Sequence, residues 1–271
     1  VNISDAFFSG QQSEIFIPCD ETTTYYGYGL NVVTPDDIFL DYVVANYNNL
    51  WGANLIGNDV AVYNSQFNNN ITDSVLFIDD TGLLVNASGY VDIYKTEAKE
   101  NRLIGATITA VGDVFVADSN FSDNRGITCN DDTCEDYNAY GYGLNVSTAG
   151  NIFVSGTTAN NNYLFGATLS GANVAVTNST FNFNGSCIER AGVESLIVEC
   201  IDPTGQGLIV NSSGNTSLVN VTASNNELFG AKVKAGGNVT VTASVFSGNK
   251  SYTYFDDGDF DTNGYGLQVV A

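Results

Sequence analysis

The residues of this chain that could bind a metal ion lie in an acidic segment near its C-terminal end. Asp257, Asp259 and Asp261 alternate with other residues, and Asn263-Gly264 follows them. Oxygen ligands at alternate positions are typical of the first half of a calcium-binding loop, but the distal glutamate that would complete the loop is absent. Two interpretations stay open, a calcium site or a solvated acidic loop, and calcium is the only cofactor that the sequence suggests.

The common kinds of catalytic machinery are missing from the sequence. The 271 residues include no histidine, which excludes Ser-His-Asp and Cys-His nucleophiles and histidine-containing zinc sites. The eight lysines and arginines are scattered along the chain. Two carboxylates about 5–9 Å apart would serve a glycosidase, and sequence alone does not fix such a distance. We expect a protein that is not an enzyme and predict no catalytic residue.

Charge limits the partners of the chain. Thirty acidic residues against eight basic ones give a net charge of −22. Such a surface repels nucleic acid and anionic lipid, and no apolar run is long enough to span a membrane. Disorder is not expected, because 44% of the residues are hydrophobic and they recur in a regular pattern that can form a core.

The five cysteines favour a location outside the cytosol. Cys129 and Cys134 flank one predicted loop, and Cys187 and Cys200 flank another. Paired cysteines in the loops of an acidic, asparagine-rich chain indicate disulfides and an extracellular or cell-surface protein. The position of Cys19 corresponds to that of Cys200, but its expected partner position holds a glutamate, so we expect Cys19 to be free or bonded elsewhere.

Asn-x-Ser/Thr triplets that could accept a glycan occur twelve times. Three of their asparagines, Asn70, Asn184 and Asn249, occupy a position that recurs at one corner of a repeat described below, and we expect them to be buried. The candidates for glycosylation on outward or turn positions are Asn86, Asn145, Asn178, Asn211, Asn215 and Asn238. A repeat rich in Asn, Ser and Thr also generates such triplets without any glycan being attached.

All of these residues must be positioned by a repeat that runs through the whole chain. A Gly-Leu-x-Val segment is followed 23 residues later by a Gly-Ala pair in every copy. The Gly-Leu segments begin at Gly29, Gly82, Gly143 and Gly207, and the Gly-Ala pairs at Gly52, Gly105, Gly166 and Gly230. Fixed spacing in four copies predicts one solenoid over 1–271, with partial repeats at 1–28 and 266–271 and full repeats at 29–81, 82–142, 143–206 and 207–265.

Apolar residues alternate with polar ones inside each repeat, as in short strands with one buried face. Three such strands per turn predict an all-β parallel β-helix of about nine rungs and, at ~4.8 Å per rung, a rod about 43 Å long. Residue sizes also alternate: Leu30 gives way to Ala53 after the glycine, while Ala45 gives way to Phe67 on the third strand. This compensation keeps the volume of each rung constant, as close packing requires.

Two further columns recur at one corner. An asparagine ends every turn, at Asn48, Asn70, Asn101, Asn124, Asn162, Asn184, Asn226 and Asn249. We interpret it as a structural ladder of stacked amides rather than a polar binding row. The residue before each opening glycine is often aromatic, and Trp51, Phe165 and Phe229 could stack on sugar rings or seal the corner. Alternate turns carry acidic insertions at this corner, and insertions on one face of a solenoid often form its binding face.

The Gly-Leu-x-Val, Gly-Asn-Val-x-Val and corner-asparagine pattern resembles the right-handed parallel β-helix repeats of prokaryotic cell-surface proteins. That resemblance implies the hand of the coil, and the fold is shared by pectin-lyase-like enzymes and phage tailspikes. We expect a non-enzymatic segment of an extracellular fibre, filament or adhesin stalk. The alternative is a carbohydrate-binding or polysaccharide-cleaving module that uses the insertion edge.

Self-association and glycans are the partners that the sequence suggests. Both ends of the sequence lie inside a repeat, and uncapped solenoid ends expose strand edges that another copy or more chain would cover. If the two termini were joined, about one rung of the repeat would be missing at the junction. We therefore expect the sequence to be an excerpt of a longer polypeptide.

Overall fold

The computed structural model describes residues 1–10, 13–17, 22–71, 80–129, 137–185, 187–191, 196–200, 205–254 and 260–271, with the short hairpins described by their backbone alone. Within these residues the regular structure consists of β-strands. Two nine-stranded sheets contain most of the strands, and all neighbours within each of these two sheets run parallel. The prediction of an all-β chain is confirmed.

Sheet A consists of four-residue strands, apart from a shorter first one. Its strands, in spatial order, are Asn2–Ser4, Ile38–Asp41, Val60–Tyr63, Val91–Tyr94, Val114–Ala117, Ile152–Ser155, Val174–Thr177, Thr216–Val219 and Val239–Thr242. The first and third residues of a typical strand, such as Ile38 and Leu40, are buried, and the two between or after them face outward. This period of two is the alternation that the sequence shows.

Sheet B is built from the segments that begin with the repeated glycine. Its strands are Leu30–Val33, Trp51–Gly57, Thr81–Ala87, Ile104–Ala110, Tyr142–Thr148, Phe165–Gly171, Gln206–Ser212, Phe229–Ala235 and Tyr265–Val270. Spatial order again follows chain order, so the chain visits each sheet once per turn.

A third wall, the bridge column, closes each turn. It is a row of single bridged residues, Phe7, Val44, Gln66, Glu97, Asn120, Thr158, Thr180, Thr222 and Val245. One sheet A strand, one bridged residue and one sheet B strand make a rung, and nine rungs stack into a parallel β-helix. The sequence predicted a third strand here. The structure shortens it to one bridged residue, because left-handed corners lie close on both sides of it.

These corners turn the chain twice per rung. Tyr42 and Tyr47, on either side of Val44, have φ values of 52° and 59°. The same two positions have positive φ in the other rungs, most often at Asn, Asp or Gly. Asn, Asp and Gly tolerate this conformation best. The corners therefore explain why these residues punctuate the repeat.

The core inside the three walls is a stack of layers of alternating residue size. Along sheet B, Leu30 pairs with Ala53 and Ala53 pairs with Leu83. Next to the bridge column, Ala45 and Phe67 are both fully buried in one continuous core cluster. A rung with Leu in sheet B thus has Phe beside the bridge column, and the rungs above and below it have Ala at both places. The expectation of a constant volume in every rung is therefore wrong, because the two large residues share one rung and the space left by the small rungs accommodates them.

Antiparallel hairpins project from the corner between the bridge column and sheet B. They are Ser13–Ile17 with Thr22–Tyr26, Gly126–Cys129 with Tyr137–Tyr140, Cys187–Ala191 with Leu196–Cys200, and Ser251–Tyr254 with Phe260–Asn263. They belong to the first, fifth, seventh and ninth rungs, so the expectation of insertions at one corner of alternate rungs is confirmed.

Layer alternation predicts that two rungs, and not one, are the unit that can be removed. Deleting residues 143–206 rejoins Tyr142 to Gly207 and keeps large layers next to small ones. Deleting only 143–165 places Phe121 against Phe181 and Ala106 against Ala167, which combines overpacking with a void and should cost at least about 2 kcal/mol. Thermal unfolding followed by circular dichroism checks this. Equal stability of the two variants would contradict the layer rule.

Candidate functional site

The eight corner asparagines form one buried column. In each rung the backbone N–H and the side-chain Nδ2 donate to Oδ1 of the asparagine in the next rung, as Asn162 does to Asn184 at 3.0 and 3.1 Å. The same paired hydrogen bonds run from Asn48 to Asn249 with distances of 2.9–3.2 Å. All eight residues are at most 9% exposed. The geometry is that of a structural ladder, since the amides are buried and bond to one another from rung to rung.

The repeated glycine is required by this ladder. A Cβ on Gly143 would lie 2.7 Å from Nδ2 of Asn162 and 2.5 Å from the carbonyl oxygen of Gly166. The other opening glycines face their own ladder asparagine in the same way. The two sequence signatures, Gly-Leu or Gly-Ala and the corner asparagine, are therefore the two sides of one contact.

A second row of buried hydroxyls was not anticipated. Oγ of Ser65 accepts the Val43 N–H at 3.0 Å and donates to the Tyr63 carbonyl at 2.7 Å. Ser119, Ser179 and Ser244 repeat this arrangement on alternate rungs. The signal in the sequence was a serine three residues after the second valine of each Val-x-Val segment in sheet A.

Trp51, Phe165 and Phe229, the residues considered for sugar stacking, each pack on a ring of the neighbouring rung. Ring centroids are 4.8 Å apart for Tyr28 and Trp51, and 5.0 Å apart for both Tyr142–Phe165 and Phe229–Tyr265. Phe229 is buried and the other two are half-buried. These rings stabilise the corner that carries the insertions, and one face of each is already covered.

The remaining predicted sites fall mostly on the insertions. Asp257 and Asp259 lie outside the described residues, and Asp261 is placed only by its backbone in the strand Phe260–Asn263. Among the residues that are described, no group of three or more acidic or cysteine side chains could hold a metal ion. The calcium site stays a prediction.

The cysteines are placed in part. Cys187 lies directly opposite Cys200 in the register of its hairpin. Cys129 ends the strand Gly126–Cys129, while Cys134 and Cys19 lie outside the described residues. The disulfides therefore stay predictions. For Cys187 and Cys200, the hairpin register places the two residues opposite each other.

The glycosylation candidates differ in exposure. The asparagines at 178, 211, 215 and 238 are exposed, and those at 86 and 145 are half-buried. The triplets at Asn70, Asn184 and Asn249 lie in the buried ladder. Exposure therefore separates four accessible candidates from the three buried triplets of the ladder.

The outer face of sheet A carries an aromatic strip that sequence reasoning missed. The strip is made of Phe39, Tyr63, Tyr94, Phe115 and Phe153. Phe115 and Phe153 stack with their centroids 5.0 Å apart and an interplanar angle of 9°. Phe115 is 40% exposed and Phe153 is 41% exposed. The signal was a phenylalanine between two apolar residues of a short strand, because alternation turns the middle residue outward.

Tyr63 is anchored within this strip. Its hydroxyl donates to Oδ2 of Asp92 at 2.6 Å, and its ring meets those of Phe39 and Tyr94 edge to face. The hydrogen bond to Asp92 and then partial burial raise the pKa of Tyr63 to about 12. The strip is thus fixed by both ring contacts and a charge-assisted hydrogen bond.

A shallow groove of about 460 Å³ continues the strip towards the ninth rung. Phe153 closes one end, Ala175 and Ser217 form part of the floor, and Asn173, Asn215 and Asn238 line one side. These three asparagines form an outer ladder in which Asn215 N–H donates to Asn173 and Asn238 N–H to Asn215, both at 2.8 Å. None of the lining residues is charged, in a chain whose net charge is −22.

Comparison with known families agrees with this architecture. The family model for the right handed beta helix region matches residues 132–271, which is more than half of the chain. The chain therefore belongs to the right-handed β-helix family, and the hand expected from the resemblance is confirmed. No curated protein and no solved structure matches it. The described part of the chain has no helix long and apolar enough to cross a membrane.

The ladder predicts a large cost for Asn162→Ala. The change leaves the Asn124 backbone N–H, which donates to Asn162 Oδ1 at 3.0 Å, buried without an acceptor. The free energy of unfolding should fall by about 3 kcal/mol. The matched control is Asn160→Ala in the same rung, whose Oδ1 accepts the Asn182 N–H at a half-buried position where water can replace it, at about 1 kcal/mol or less. Equal losses in chemical denaturation would contradict the ladder.

The raised pKa of Tyr63 predicts a late phenol titration. The neutral phenol is favoured in the folded state, so its contribution to stability is complete below pH ~10 and disappears as the pH rises through about 12. The ultraviolet difference titration between the wild type and Tyr63→Phe should have its midpoint near 12. In an Asp92→Asn background the midpoint should move towards 10. A wild-type midpoint already near 10 would show that the hydrogen bond is not formed.

Proposed function

We propose that this chain is a non-enzymatic structural segment of an extracellular surface fibre, filament or adhesin stalk. The observation that carries the proposal is the continuity of the stack. Both nine-stranded sheets and the asparagine ladder connect successive rungs without interruption. A molecule whose repeated residues mainly join one rung to the next is suited to being a stiff rod.

The direction of the hydrogen bonds supports a mechanical role. In a parallel β-helix the bonds between strands lie along the long axis, so tension on the rod loads both sheets at each rung interface together. The side-chain ladder adds two bonds per interface, such as those from Asn124 to Asn162 at 3.0 Å each. Buried amide ladders resist water and therefore reinforce the stack.

The surface charge supports an exposed location. Described acidic residues, among them Asp36, Asp37 and Asp59, lie at the corner between sheets B and A. The net charge of −22 keeps neighbouring rods apart and limits non-specific adhesion. The hydrogen bonds from Asn58 and then from the Asp59 N–H lower the pKa of Asp37. A general acid would need a raised pKa, which favours a structural over a catalytic role for this carboxylate.

Self-association is part of the proposal, and the layers set a condition on it. The ninth rung presents Phe246 and Leu267, and the first presents Phe8 and Leu30. A rung that stacks beyond either one, from another copy or from the same polypeptide, needs alanine at these places to continue the alternation of large and small layers. Direct stacking of two identical copies would set Phe246 against Phe8, so it would place two large layers next to each other and break the alternation.

The alternative function is a carbohydrate-binding or polysaccharide-cleaving module on the insertion edge. The observation in its favour is the contact between the rings of Tyr28 and Trp51, which are tilted by 35° with their centroids 4.8 Å apart, and Tyr28 is 37% exposed. Paired aromatic faces at a solenoid corner could accept a sugar ring. The covered faces of Trp51 and Phe165 make this the second choice.

Immunogold electron microscopy of the cells that produce the chain tests the proposal. We expect label along extracellular fibres or stalks, and label confined to the cell interior would overturn it. Glycan arrays and turnover assays on acidic and neutral polysaccharides test the alternative. Saturable binding that is lost in Trp51→Ala and Phe165→Ala, or measurable turnover, would favour the carbohydrate module, whereas intact fibres with neither activity support the structural segment.

A further inference from the structure

The groove beside Phe153 contains a complete glycosylation triplet on its surface. Asn238 lines the groove one residue before its sheet A strand, and Thr240 lines it from within that strand. Both are exposed, because Val239 between them faces the interior in the alternating strand. The neighbouring triplet of Asn215 and Ser217 also lines the groove, but Ser217 is half-buried.

The hydrogen bonds of the outer ladder favour Asn238 as the modified residue. Oδ1 of Asn215 accepts the Asn238 backbone N–H at 2.8 Å, and Oδ1 of Asn173 accepts that of Asn215 at 2.8 Å. The amides of Asn173 and Asn215 are therefore oriented by the ladder along the side of the groove. The contact to Asn215 holds the backbone of Asn238, and the residue is exposed, so solvent and a modifying enzyme can reach the side chain that carries an N-linked sugar.

The shape and chemistry of the groove match an uncharged sugar chain. Its floor at Ala175 and Ser217 is made of small residues, and its side offers amide donors and acceptors without any charge. From Asn238 to Phe153 the groove crosses three rung intervals, about 14 Å at the usual strand spacing. An aromatic ring that is 41% exposed at the far end offers a face on which the C–H side of a pyranose packs.

We propose that Asn238 carries an N-linked glycan whose first sugars lie in this groove and pack on Phe153. The proposal rests on the extracellular location of the proposed function, since such glycans are attached during export. In the attachment, Nδ2 forms a bond to the anomeric carbon of a lipid-phosphate-linked oligosaccharide and loses one proton, and the lipid phosphate is the leaving group. The glycan then covers the uncharged part of sheet A.

Secretion of the chain from eukaryotic cells supplies a glycan of known composition and tests the proposal. Peptide mapping by mass spectrometry should find Asn238 occupied. Thr240→Val removes the acceptor triplet and leaves the Asn238 amide in place. We expect Thr240→Val to lower Tm by about 2–4 °C relative to the glycosylated protein. In a Phe153→Ala background the same change should lower Tm by less than half as much.

Two controls separate the groove from a general effect of sugars. Ser213→Ala removes the exposed triplet of Asn211 on the sheet B side, where the adjoining groove has no aromatic lining residue, and its effect on Tm should not depend on Phe153. The four Thr240 and Phe153 variants made in bacteria, without glycan, should show additive effects. An unoccupied Asn238, or a glycan effect unchanged by Phe153→Ala, would overturn the inference. Neither result would alter where immunogold places the fibre, so the two proposals fail separately.

Discussion

The structure depends on one contact, in which the side-chain amide of a corner asparagine occupies the place where the facing glycine lacks a Cβ. At Gly143 that amide belongs to Asn162, and the Gly166 carbonyl closes the other side. The contact lets the sheet B strand of one rung approach the corner of the next rung closely enough for the asparagines to bond from rung to rung. Because an unpaired buried amide is costly, the ladder also fixes the register of every turn. Insertions are tolerated only where the ladder has already ended the turn.

The alternation of large and small layers is the second constraint, and it works with the first. Phe67 and Leu83 fill one layer, and the alanines Ala98 and Ala106 of the following layer make room for them. The hairpins project from layers that carry phenylalanine beside the bridge column. The repeating unit of the chain is therefore two rungs rather than one. Close packing explains the alternation of side chains, and the structure gives no physical reason for placing every hairpin on the larger layers.

Function is left to the outward residues, because the inward ones are used by the stack. Sheet A presents Phe115 and Phe153 in parallel contact, and beyond them a groove lined by uncharged amides and hydroxyls. The insertion corner presents rings that already pack on their neighbours, such as Trp51 on Tyr28. An acidic rod with an uncharged groove on one side is consistent with the proposed role of a structural segment.

The sequence by itself determined the β-helix, the rung number and the inward residues, because period-two alternation and the glycine–asparagine spacing are local patterns that only stacking satisfies. It did not reveal the reduction of the third strand to one bridged residue at Val44, nor the role of Ser65. Those depend on left-handed corners and on N–H groups of a neighbouring rung. Only the tertiary structure placed Phe153 beside Asn238, since residues far apart in the chain become neighbours when strands stack, and no local pattern records which rungs adjoin.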